Sequence, residues 1–175
     1  MRGIRRHRDE LLVADFFVLH QLAVNDVHIA ARFPKQEHAN VTFIRWTAFF
    51  EPVAAGSNLI PDGYVELATG EEVIASFIEV DFGTESLRVW REKTEQYLRL
   101  ATSGAFQELF QQPRFRVLVL ANSERRLRSI RKTVSLVTEK IFRFATIENA
   151  RKDFFGTHWL KPVAENHQPF FENHP

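Results

Sequence analysis

Apolar and polar residues alternate over positions 62–67 and again over 73–80, and Thr69-Gly70-Glu71 separates the two runs. Period-two alternation around a glycine-containing turn predicts a β-hairpin. With the turn centred on Gly70-Glu71, Asp62 falls directly opposite Glu79, their Cβ atoms roughly 5 Å apart. The same alternation puts Tyr64, Glu66, Ala75, Phe77 and Asp81 on the face of that pair. Val65, Leu67, Ile74, Ile78 and Val80 make the other face, the expected core surface of a half-buried sheet.

Around the hairpin the pattern changes period. Leu11, Leu12, Phe16, Leu19, Leu22 and Ala23 recur at helical spacing, predicting a helix over 9–33 with a break where Asn25-Asp26 caps a second segment, 27–33, that Pro34 ends. His20 falls on or beside the apolar stripe, as a core histidine bonded to a backbone carbonyl. Residues 41–50, rich in Val, Thr, Phe, Ile and Trp, predict a strand that Glu51-Pro52 stops. Glu51 is either a neighbour of the acid pair or a solvated strand end. After Asp81, Thr84 is the expected cap of a helix over about 85–102, with Leu87, Trp90, Thr94, Tyr97, Leu98 and Ala101 facing inward and Lys93 on the flank. A short helix is expected over 105–110. The apolar run FRVLVL at 115–120 predicts a central strand covered on both faces. Ser123 caps a helix over about 124–138, with Leu127, Ile130, Val134 and Val137 facing inward. IFRFATI, 141–147, alternates as a last strand before a short helix ending near Gly156. The order α, β, β-β, α, β, α, β implies an α/β fold with a central mixed sheet flanked by helices.

Composition narrows the class. The chain has 175 residues, 45% hydrophobic with 17 Phe, and so reads as one packed domain over 9–160. A basic arm over 1–8 and a poorly ordered, Pro-containing tail over 161–175 are expected on either side. The absence of cysteine excludes a disulfide scaffold or thiolate metal site and fits a reducing cytoplasm. No apolar run is long enough to span a membrane. A net charge of +1 gives no global basic field. Charge is local instead, with Arg2, Arg5, Arg6 and Arg8 at the start and Arg125, Arg126, Arg128, Arg131 and Lys132 on one later helix.

Two facing carboxylates repel and raise one another's pKa unless a cation sits between them. Oxygen ligands at that spacing suit Mg²⁺ or Mn²⁺ rather than zinc. The other reading is a polar rim of solvated acids, and spacing alone leaves both open.

Pro61-Asp62 in LIPDGYVEL, Glu79-x-Asp81 in FIEVDFGTES, and Lys93 and Tyr97 in KTEQYLRL, with FRVLVLAN after them and LHQLAVNDVHIA before, resemble the replication-relaxation family of plasmids and integrative elements. The resemblance spans roughly residues 17–160. That family looks like a branch of the PD-(D/E)XK nuclease superfamily, whose restriction-endonuclease-like core MobC-type relaxases share. The resemblance implies metal-dependent DNA nicking in plasmid replication or mobilisation. Asp62, Glu79 and Asp81 would hold Mg²⁺ or Mn²⁺, Lys93 would complete the catalytic set, and Arg125, Arg128, Arg131 and Lys132 would contact DNA phosphates. Asp81 stands where the superfamily usually has lysine, so Lys93 either takes over that role or the role is lost. The alternative is a non-catalytic DNA-binding or assembly module. Too few residues precede Leu11 for the winged-helix reader that family members often carry, so recognition is expected to use the basic clusters or a separate DNA-recognition protein. A tyrosine-nucleophile relaxase with a histidine cluster is excluded by the lack of any His-x-His.

Overall fold

The hairpin register follows from its turn. In the computed structural model, which describes residues 3–171 with side chains from Asp15 onward, Gly70 takes a φ of 58° at the first turn position, a conformation that suits glycine. Strands β2 (Gly63–Thr69) and β3 (Glu72–Asp81) then pair antiparallel from Thr69↔Glu72 to Gly63↔Ile78, the register read from the sequence. Strand β1 (Val41–Thr47) adds to β2, also antiparallel. Strands β4 (Arg116–Ala121) and β5 (Phe142–Thr146) add to β3 in parallel, giving one sheet in the order β1-β2-β3-β4-β5. The expected mixed sheet flanked by helices is therefore present.

The sheet is not half-buried, as the alternation suggested; both faces are covered. Val65, Leu67, Ile78, Val80, Leu118 and Leu120 pack under helix α1 (Gly3–Arg32) and the short α5 (Ile147–Lys152). Tyr64, Phe77, Val117, Val119 and Phe144 pack under α2 (Leu87–Thr102), α3 (Ala105–Phe110) and α4 (Glu124–Ser135). Phe77 is the hub of that second layer, its ring within 5.9 Å of Tyr97, Phe106, Phe110 and Phe115. Such aromatic contacts explain why a face bearing Glu66, Glu79 and Asp81 is nonetheless buried.

Several local expectations change. Helix α1 runs unbroken through Asn25 and Asp26, which cap nothing. Its stripe also differs: Phe16, Leu19 and Leu22 are 53%, 51% and 54% exposed, and the residues against the sheet are Ala23, Val24, Val27 and Ala31. Small side chains let this end of the helix lie close to the sheet. Leu11, Leu12 and the basic arm's side chains lie outside the described residues. Ser86, not Thr84, caps α2, and Leu100 replaces Leu98 and Ala101 in its buried stripe. Downstream of Lys161, where a poorly ordered tail was expected, Gln168 exchanges backbone hydrogen bonds with Trp159, and Phe170 is buried against Phe154, Phe155 and Trp159. Among the described residues no helix is long and apolar enough to cross a membrane.

Candidate functional site

Strand β3 ends in Glu79-Val80-Asp81, and its pleat sends the two acids to the α2/α4 side and Val80 to the α1 side. Both acids are nearly inaccessible, Glu79 at 1% and Asp81 at 2% exposed. A buried carboxylate is tolerated only when it is paired and hydrogen-bonded, and each has its own set of partners.

Glu79 is held from α2. Tyr97 Oη donates to its Oε1 at 2.6 Å and Lys93 Nζ donates to its Oε2 at 2.8 Å. Lys93 also lies 2.8 Å from Glu85 and 5.4 Å from the centre of the Trp90 ring. Positions 90, 93 and 97 project from neighbouring turns of α2 toward the strand. Burial pushes the Glu79 carboxyl up to about 7; Lys93 opposes this, and the nearby charge of Asp62 adds to it. Burial also works against the Lys93 charge, but Glu79 and Glu85 outweigh it and hold the ammonium above the ordinary lysine range.

Asp81 is held from α4. Arg126 grips it in bidentate fashion at 2.6 and 2.7 Å, Trp90 Nε1 donates at 2.8 Å, and the Gly83 N–H donates at 2.7 Å. Burial alone would raise this carboxyl, yet Arg126, Trp90 and Gly83 together take it below the usual aspartate range. Four donors on two oxygens leave Asp81 a poor metal ligand. Asp62, Glu79 and Asp81 do not bring ligand atoms within 4.8 Å of one another as a trio. The three acids expected together therefore do not form one close group, and Asp81 is committed to Arg126.

Asp62 precedes β2 at the same end of the sheet. Its N–H donates to Ile78 O at 3.1 Å, and its Oδ2 accepts the Val80 N–H at 2.7 Å, extending the ladder with a side chain. The paired register itself stops at Gly63↔Ile78, so Asp62 is not ladder-paired with Glu79 as expected. His20, from α1, brings its Nε2 within 3.1 Å of Val80 O and 3.4 Å of Asp62 Oδ2. The expected carbonyl partner is present, and the carboxylate is an addition that helical periodicity did not reveal. Its hydrogen bond to Asp62 raises the imidazole pKa against the opposing effect of burial. Asp62 Oδ1 has no protein partner among the described residues.

A family model described as replication-relaxation matches residues 2–112. The chain belongs to the replication-relaxation family. No curated protein and no solved structure matches it. All four residues of the expected catalytic set lie inside the replication-relaxation match, whereas α4 and its arginines lie beyond it.

On α4, Arg125, Arg128 and Lys132 are exposed along one flank. Arg131, expected among them, instead donates to Lys161 O at 2.8 Å and to Ala164 O, fastening the C-terminal segment. Arg126 was part of the same basic run and turns inward. It sits one turn before Ile130 on the buried stripe, which is the sequence signal that sets it apart. Glu51 is exposed, with no hydrogen bond to the acids. Tyr64 and Tyr97, the only tyrosines, are both fully buried and hydrogen-bonded to glutamates.

Proposed function

We propose that this chain is a metal-dependent DNA-nicking protein of a plasmid or other mobile element, built on a restriction-endonuclease-like PD-(D/E)XK core. Family membership supports a replication setting with DNA as the partner. The nuclease-like core is supported by a hairpin running into a strand–helix–strand unit, with acids at the end of the third strand. The observation that carries the reading is Glu79: a buried acid raised to about 7, beside Lys93, and feeling the charge of an Asp62 with one oxygen open.

The donor set fits Mg²⁺ or Mn²⁺. Asp62 offers Oδ1, and each Glu79 oxygen keeps a lone pair beyond its single donor. An ion held there would supply Lewis-acid polarisation of the phosphodiester and a water of lowered pKa. Tyr97 fixes the Glu79 rotamer, and His20 with the Val80 N–H fixes Asp62. Lys93 supplies the positive charge that stabilises a developing oxyanion, the role the superfamily usually gives to a lysine at position 81 of this chain. Asp81, joined to Arg126, positions the strand end against α4 rather than binding metal. Arg125, Arg128 and Lys132 contact phosphates, with base recognition left to a separate DNA-recognition protein.

The second reading, a non-catalytic DNA-binding or assembly module, is favoured by one observation: Lys93 and Arg126 already neutralise the two buried acids. Relaxation of supercoiled plasmid separates the two. Nicking that requires Mg²⁺ and disappears in Asp62→Ala and Glu79→Ala supports the enzyme. Nicking that survives both substitutions rejects the site, and wild-type protein that binds DNA without nicking it supports the module.

A further inference from the structure

We propose a second, separate metal site, formed by His38 and Asp153 with Glu37 and His158 beside them, that takes a zinc-class transition ion. Gln36–His38 forms a 3₁₀ turn between α1 and β1, and Asp153 follows α5. That turn lies three residues before Val41, which pairs with Thr69 at the turn end of the hairpin, the end away from Asp62. Ligand atoms of Glu37, His38 and Asp153 fall within 4.8 Å of one another.

The decisive contact is between His38 Nε2 and Asp153 Oδ1. They are 3.2 Å apart as an ion pair, yet among the described residues the buried Nε2 has no partner with hydrogen-bond angles. Two N/O ligands on one tetrahedral zinc, with bonds of about 2.0–2.1 Å, stand about 3.3 Å apart without needing hydrogen-bond angles. Glu37 Oε1 is 3.9 Å from the same nitrogen. His158, next to this group, carries another buried Nε2 without a partner among the described residues. A Cβ built on Gly156 would stand 3.0 Å from Asp153 Oδ2 and 3.1 Å from His158 Nδ1, so His158 flanks Asp153 from outside the group of Glu37, His38 and Asp153. Phe155 orients the group: its N–H donates to Asp153 Oδ1 at 3.2 Å, and its ring lies 5.6 Å from that of His38. Lys35 stands 3.4 Å from Asp153 Oδ2 and leaves Oδ1 to the ion. Imidazole in the donor set selects zinc-class ions over Mg²⁺, which distinguishes this site from the carboxylate pair. The bound ion ties the 3₁₀ turn to the end of α5, and so fastens α1 to the C-terminal segment.

The test is Zn²⁺ titration of the full chain in excess Mg²⁺, followed by calorimetry, thermal unfolding and the imidazole ¹⁵N shifts. One equivalent of Zn²⁺ should bind, raise the melting temperature by about 5 °C or more at hundredfold excess over Kd, and move the Nε2 resonance of His38. His38→Gln and Asp153→Asn should each weaken binding at least about tenfold, while Glu79→Gln leaves it unchanged. Absence of stoichiometric binding overturns the site, as does binding that His38→Gln leaves intact. Should the variants not fold, the wild-type spectrum decides: a shift of other histidines without His38 overturns the proposal.

Discussion

Lys93 Nζ lies 2.8 Å from Glu79 Oε2, an ion pair with the lysine 19% and the glutamate 2% exposed. Removing one partner of such a pair leaves an uncompensated buried charge. Lys93→Ala is therefore expected to lower stability by about 3 kcal/mol near neutral pH. The loss should shrink in acid, where Glu79 takes up a proton. Denaturant melts across the pH range check both statements.

The raised Glu79 carboxyl sets a pH dependence. Its folded-state value of about 7, against an ordinary 4.5, means the native state binds the proton more tightly. The stability this contributes is complete below pH 4.5 and is lost as pH rises through 7. The loss in metal-free protein is on the order of 3 kcal/mol. Glu79→Gln should flatten this part of the profile. In the proposed site Mg²⁺ would bind the ionised form, so its stabilising effect should grow with pH up to about 7 and level off above, as melting curves with and without Mg²⁺ will show.

Arg126→Ala and Asp81→Asn are expected to destabilise the fold while leaving Mn²⁺ affinity within about threefold, because Asp81 holds α4 and not the ion. Isothermal titration beside thermal unfolding separates the two effects. Loss of Mn²⁺ binding with stability intact would restore Asp81 as a ligand.

Much of this was legible in the sequence. Thr69-Gly70-Glu71 fixed the hairpin register, and the FRVLVL run at 115–120 announced a strand buried on both sides. The burial of Glu79 and Asp81 was not legible, because alternation reports that two faces differ and not whether a second layer covers the polar one. Three helices and the Phe77 aromatic cluster do so here. Arg131 left the expected DNA-contacting set, and Arg126 the basic run, for similar reasons: which flank of α4 is solvated depends on the C-terminal segment and on Asp81, both distant in sequence. For α1, periodicity located an apolar stripe, but the residues buried against the sheet are Ala23, Val24, Val27 and Ala31.

Gly63 joins Asp62 to β2, and a Cβ there would come 2.4 Å from Trp46 Cζ2. Gly63→Ala should cost about 1–3 kcal/mol. It should also reduce nicking by more than the stability loss explains, since the backbone carrying Asp62 must shift. Activity measured well below the melting point checks this.

Arg125, Arg128 and Lys132 occupy one exposed flank of α4. Replacing all three with alanine should weaken DNA binding whatever the sequence and reduce the salt slope by about 2–3, near 0.9 per lost phosphate contact. Arg131→Ala should leave the slope unchanged and loosen the C-terminal segment. Fluorescence anisotropy across a salt series reads the difference.

An anomalous difference map from a Mn²⁺-soaked crystal tests the shared-ion proposal most directly. A peak about 2.1 Å from both Asp62 Oδ1 and a Glu79 oxygen is expected, independent of any density beside His38. A map without a peak between those two acids, from crystals of protein that nicks DNA with Mn²⁺, would contradict it.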